Sequence, residues 1–267
     1  DVQVLDTQVD PSSGMGGRGI EVLIESTLDA SDCELIGNQG IGLHAMMFST
    51  ATLERVRIAE TQRNMFGTAA LGIHAQYWAV VEGSDVVIED NDGLGIYTVI
   101  DGSVSCTGCT LQDNAFAGVG VQGGGELIIE DSVIEGTVAE ANSGGGVGVF
   151  ASDDGLSMFG RSELILRNST VRDNVMGAVY IEGEGGFQVI GNELHGGAGL
   201  DMEPGRWAHG DALLVKQGEG STDAWDEEDQ LGVLIEDNTL MDSTGAGLFL
   251  DGADVTLANN TYDGNTT

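Results

Sequence analysis

Aliphatic and polar residues alternate in short runs along almost the whole chain, as in LERVRIAE, DVVIEDND, CTGCTLQDN, LIIEDSVIEG, LILRNSTVRDN, VLIEDNTLMD and VTLANNTYDGN. Alternation of period two over a few residues predicts strands with one buried face, and the Asp-Asn, Asn-Ser and Gly steps between runs predict turns. Helical periodicity is nearly absent. The chain therefore reads as all-β.

A second motif runs in phase with these strands: GRGIEV, GIGLHA, ALGIHA, GLGIYT, FAGVGV, GGVGVF, GAVYIE, DALLVK and GAGLFL. The shared aliphatic positions are Ile20, Leu43, Ile73, Ile96, Val119, Val147, Val179, Leu213 and Leu248, separated by 23, 30, 23, 23, 28, 32, 34 and 35 residues. That is a period of 23 with insertions, placed at 59–72, 136–146, 150–163, 195–212 and 216–232. A repeat of about three short strands cannot bury its apolar side alone, so stacked neighbours must build one continuous core. The expected architecture is a solenoid of roughly nine to ten coils.

With its 23-residue coil and aliphatic ladder, the chain resembles the right-handed parallel β-helix proteins of the pectate-lyase-like superfold. A further carrier is an asparagine four residues before the glycine or alanine of the motif: Asn38, Asn91, Asn114, Asn142 and Asn174. In that family, buried amides stack at one corner and satisfy turn backbone from coil to coil. The resemblance implies one single-stranded right-handed β-helix domain over residues 1–267, in an extracellular or cell-surface setting. Both ends fall in mid-coil, so the chain is expected to be a segment of a longer molecule.

Strand alternation then assigns a face. With Leu43 and Ala45 turned inward, His44 turns outward. The outward column continues as Glu21, His44, His74, Tyr97, Gly120, Gly148, Tyr180, Leu214 and Phe249. Insertions rise on both sides of this column, which makes it the floor of a trough, where a rigid scaffold with variable loops carries a ligand. Glycine at 120 and 148 is expected to leave the centre bare between Tyr97 and Tyr180, roughly 14 Å apart. Aromatic faces with open space between them suit sugar rings. The binding residues expected on this reading are His44, His74, Tyr97, Gly120, Gly148 and Tyr180, with Arg206 and Trp207 from the longest insertion. As metal ligands the two histidines lack convincing third and fourth partners.

Charge narrows the ligand. Against 44 Asp and Glu stand 9 Lys and Arg, giving a net charge of −35 spread along the chain. Nucleic acid is not expected as a partner, because phosphate binding needs clustered cations. No window is long and apolar enough for a membrane span, so no direct membrane insertion is expected. The expected partner is a glycan or another surface protein. No cofactor is required, while Ca²⁺ is a possible ligand of aligned turn acids Asp90, Asp113 and Asp173. Cys106 and Cys109, in CTGC, can close a local disulfide in an oxidising compartment or act as packing residues, and packing is the expectation.

An enzymatic alternative centres on residues 195–211. Asp201, Glu203 and Asp211 are candidate acid and base groups beside a sugar, with His209 as proton carrier. The resemblance supplies few of the family's catalytic signatures. Ala208-His209-Gly210 is the nearest approach to the Gly-His-Gly of polygalacturonase-like hydrolases, and the Asp-Pro-His-Glu of alginate epimerases is absent. Lys216 is the sole lysine, so lyase chemistry on a polyuronate would have to work against the protein's own negative field. The leading expectation is a binding or spacing module, and the alternative is a polysaccharide hydrolase or lyase.

Overall fold

A computed structural model describes residues 2–10, 16–64, 70–139, 145–153, 160–183, 185–199, 210–217 and 232–265. Among these the regular elements are all strands, paired in parallel into three sheets of ten, nine and nine strands. The first sheet runs from Val2–Leu5 to Thr261–Asp263, the second from Ile20–Leu23 to Leu248–Asp251, and the third from Thr27–Ser31 to Val255–Ala258. A coil visits the second, third and first sheets in turn, as in Ile41–Met46, Thr50–Glu54 and Arg57–Ala59.

The core is the sum of the inward columns. Leu43, Ile73, Ile96, Val119, Val149 and Val179 stack in the second sheet and are buried together with Ile88, Leu111 and Ile134 from the first and Leu127, Ile129 and Leu164 from the third. One member differs from the sequence expectation. Val119 pairs with Val149, not Val147, and Phe150 with Tyr180. A slip of one residue would turn every side chain over, but a slip of two preserves the alternation. GGVGVF contains two valines of the same parity, so the pattern cannot choose between them.

Corners follow backbone chemistry. Between the third and first sheets a single residue of positive φ makes the turn, for example Asp32, Asp85, Gly108, Asp131 or Asn168. The left-handed region tolerates Gly, Asn and Asp best, and these types dominate here. Cys106 and Cys109 flank Gly108 and are joined by a disulfide, Cα to Cα 5.9 Å, which corrects the packing expectation. They remain buried in the core as well.

Amide ladders satisfy the buried turn backbone. Asn91 N–H and Nδ2 donate to Asn114 Oδ1 at 3.3 and 2.7 Å, and Asn114 Nδ2 donates to the Ile88 carbonyl at 2.9 Å. Asn38 and Asn174 make the equivalent bonds to Thr7 and Thr137 N–H. Asn142 lies outside the described residues, and Thr137 stands at the rung expected for it. A second ladder, not anticipated, runs Ser132, Ser169, Asn192, Asn238 and Asn260 at the other end of the first sheet's strands.

Candidate functional site

On the outer face of the second sheet the column reads Glu21, His44, His74, Tyr97, Gly120, Phe150, Tyr180, Leu214 and Phe249. Parallel register holds like positions one strand spacing apart, so aromatic residues in successive coils stack. His44 and His74 lie 5.1 Å apart at 11°, His74 and Tyr97 5.5 Å apart at 18°, and Phe150 and Tyr180 5.9 Å apart at 8°. Two aromatic stacks thus stand on the side of the second sheet away from the core, separated by one glycine; His44 and Tyr180 are buried within them, and His74, Tyr97 and Phe150 are half-buried.

Gly148 is not part of this floor. It faces the glycine and asparagine corner, where a Cβ would meet Asn174 Nδ2 at 2.8 Å and the Ala178 carbonyl at 2.9 Å. Its reason is close backbone approach. The bare centre is also corrected. Gly120 is buried, and a Cβ on it would stand 2.7 Å from the Leu94 side chain. Leu94, Phe116, Phe150 and Leu214 pack with Ala117, Val147, Met176 and Tyr180 into an apolar cluster separate from the core.

A polar column runs beside the aromatic one. Tyr97 donates its hydroxyl to Gln122 Oε1 at 3.0 Å, and Tyr180 donates to Glu182 Oε2 at 3.1 Å. Lys216 Nζ stands 3.7 Å from Glu182 Oε1 in the next coil. Burial, with the nearby Glu182 charge, holds the Tyr180 hydroxyl protonated well above the ordinary tyrosine range. At the other end Gln76 Nε2 meets His44 Nε2 at 2.9 Å. Aromatic rings therefore lie beside a row of amide, carboxylate and ammonium groups. Sequence reasoning found the rings but missed Phe150, Gln122, Glu182 and Gln76. Gln76 and Glu182 were legible as the residues two positions on from His74 and Tyr180, while Gln122 follows Gly120, which gave no such signal.

Burial favours the neutral form of His44 and His74. His74 is pushed down to about 3 by burial, with His44 and Arg18 adding repulsion, and burial likewise lowers His44. His44 Nδ1 lies 3.4 Å from Glu21 Oε1 without forming a hydrogen bond. In the unfolded chain a histidine titrates near 6.5. The unfolded chain therefore takes up the proton first, and His74 contributes stability that is complete above about pH 6.5 and lost as pH falls toward 3. Melting temperatures at pH 7 and pH 5 should differ by several degrees less in His74→Phe than in the parent. An equal difference in both proteins would mean that the buried imidazole is not involved.

The remaining sequence candidates are dispersed. Asp90 and Asp113 occupy positive-φ corners of adjacent coils, while Asp173 is separated from Asp113 by Gly136. Burial raises Asp113, and Asp90, Glu135 and Glu89 add to the rise by repulsion. Among the described residues no three His, Cys, Asp or Glu side chains come together in a way that could hold a metal ion. Asp201, Glu203, Arg206, Trp207 and His209 lie outside the described residues. Asp211 is buried, accepts the Ala246 N–H at 2.6 Å through Oδ1, and borders a cavity of about 20 Å³ beside Tyr180 and Leu214. Such a cavity holds about one water molecule, not a sugar.

Comparison with known proteins gives the fold a wider setting. A family model described as right handed beta helix region matches residues 95–267. No curated protein matches the sequence. Among solved structures, the periplasmic alginate epimerase AlgG superposes with a TM-score of 0.60 at 11% identity, over 90% of this chain and 60% of that one. The likeness is one of fold, and the chain spans about 60% of that protein's length.

Proposed function

This chain belongs to the right-handed β-helix family, and from that premise we propose that it is a carbohydrate-binding module acting outside the cytoplasm. The ligand is an uncharged glycan lying along the outer face of the second sheet. The observation that carries this reading is the pair of parallel columns. The half-buried rings of His74, Tyr97 and Phe150 supply apolar edges, and Gln76, Gln122, Glu182 and Lys216 supply donors and acceptors beside them, with Val99 and Ser152 on the rungs between. Saccharides need both, because their C–H faces pack on rings while their hydroxyls seek polar partners. The net charge of −35 disfavours an anionic polymer.

Two further facts support the reading. The structural neighbour is, by its name, an enzyme of a polysaccharide and periplasmic. The Cys106–Cys109 disulfide fits an oxidising compartment. Among the described residues no helix is long and apolar enough to cross a membrane.

A glycan array of uncharged oligosaccharides tests the proposal. Tyr97→Phe keeps the ring stacked on His74 and removes only the hydroxyl that meets Gln122. It should weaken the best ligand about five-fold, corresponding to ~1 kcal/mol for one hydrogen bond, with little change in melting temperature. The bound oligosaccharide should keep its length on prolonged incubation. Shortened products would favour a hydrolase or lyase, and an array without signal would remove the glycan reading.

A further inference from the structure

The corner between the second and third sheets is built from two consecutive residues of positive φ in each of five coils: Ile24 and Glu25, Met47 and Phe48, Tyr77 and Trp78, Ile100 and Asp101, Gly123 and Gly124. Such turns favour Gly and Asn, because a Cβ clashes with the backbone when φ is positive. Only the fifth coil has a favoured residue at both positions, and the fourth has Asp101 at one. Phe48 and Trp78, with φ of 61° and 59°, occupy the second turn position of neighbouring coils. Their rings stack 4.9 Å apart at 5°.

These side chains do not serve the core. Phe48 is 60% exposed and Trp78 44%, and Ile24, Met47 and Val80 are exposed around them. Carboxylates frame the patch. Glu25 and Asp101 hold the same turn position one coil below and one coil above the ring pair. Asp29 and Glu82 follow on the outer face of the third sheet, in register through Thr52. Segments 23–29, 46–52, 76–82 and 99–105 contain no lysine, arginine or histidine.

An exposed apolar patch with a rim of one charge marks an interaction surface for a complementary partner. We propose that this corner docks a basic amphipathic peptide segment of another protein. Arginine or lysine side chains of the partner lie against the Phe48 and Trp78 rings and pair with Glu25, Asp101, Asp29 and Glu82. Apolar residues of the same segment cover Ile24, Met47 and Val80. Cations are attracted to aromatic faces, and guanidinium stacks on them best. This surface is separate from the glycan face, and neither reading depends on the other.

Glycine substitutions separate the role of these rings from any role in folding. Phe48→Gly and Trp78→Gly place at each position the residue its backbone prefers, so the double variant should melt at the parent's temperature or above it. A labelled peptide of alternating arginine and leucine, titrated in 0.15 M NaCl, should bind the parent at least ten-fold more tightly than the double variant. Octa-arginine, which has the charge without the apolar residues, should bind the parent more weakly than the alternating peptide does and lose less affinity than that peptide in the double variant. Tyr97→Phe should leave peptide binding unchanged. The proposal fails if the alternating peptide does not bind or binds the double variant equally well. It also fails if the glycine variants instead abolish self-association or oligosaccharide binding.

Discussion

Val119→Asp is expected to abolish folding or leave a chain that melts far below the parent. Val119 is fully buried between Ile96 and Val149 in the ladder that joins successive coils. Among the core residues around it are Leu111, Val121, Ile134 and Ala151, with no basic side chain in the cluster. An aspartate there must bury an unpaired charge or take up a proton, and either also loses the valine's packing. The expected cost exceeds ~4 kcal/mol, a large part of the ~5–15 kcal/mol that holds a domain together. Circular dichroism melts would show it directly. Thr52→Lys, on the exposed face beside Asp29 and Glu82, is the matched control and should melt within a few degrees of the parent. Native-like melting of Val119→Asp would mean that the ladder is not the core.

Asn114→Ala should be the second most damaging change, for a different reason. Its Oδ1 accepts from Asn91 N–H and Nδ2, and its Nδ2 donates to the Ile88 carbonyl. Both asparagines are buried, so alanine leaves their partners without bonds and without water. Each orphaned buried group costs about 1–3 kcal/mol, which places the loss near ~3 kcal/mol. The urea midpoint should fall accordingly, and the Asn91 amide should exchange its hydrogen much faster than in the parent. An unfolding free energy within about 0.5 kcal/mol of the parent's would show that the ladder is ornamental.

Much of this architecture was legible because a β-helix repeats its instructions. Period-two alternation named the inward residues, and the recurring histidine, tyrosine and asparagine positions named two columns. What could not be read is equally specific. Val147 and Val149 share parity, so the two-residue register at Gly148 is fixed only by three-dimensional pairing. The second ladder changes from Ser132 and Ser169 to Asn192, Asn238 and Asn260, so no single residue type marks its whole length. Leu94 covers Gly120 from another coil, a contact between residues 26 apart that alternation within one strand cannot show. Phe48 and Trp78 fell in turn positions, where sequence preference expects glycine and gives no reason to look for rings.

The central claim is that the outer face of the second sheet binds an uncharged glycan. Calorimetric titration with one series of oligosaccharides of increasing length tests it most directly. Tyr97 and Tyr180 stand three strand spacings apart, roughly 14 Å, so two to three sugar rings span them. Affinity should rise from the monosaccharide to about the trisaccharide and then level off, and Tyr97→Phe should lower the plateau about five-fold. The claim is contradicted if no length binds, or if the length dependence is the same in Tyr97→Phe with no loss of affinity.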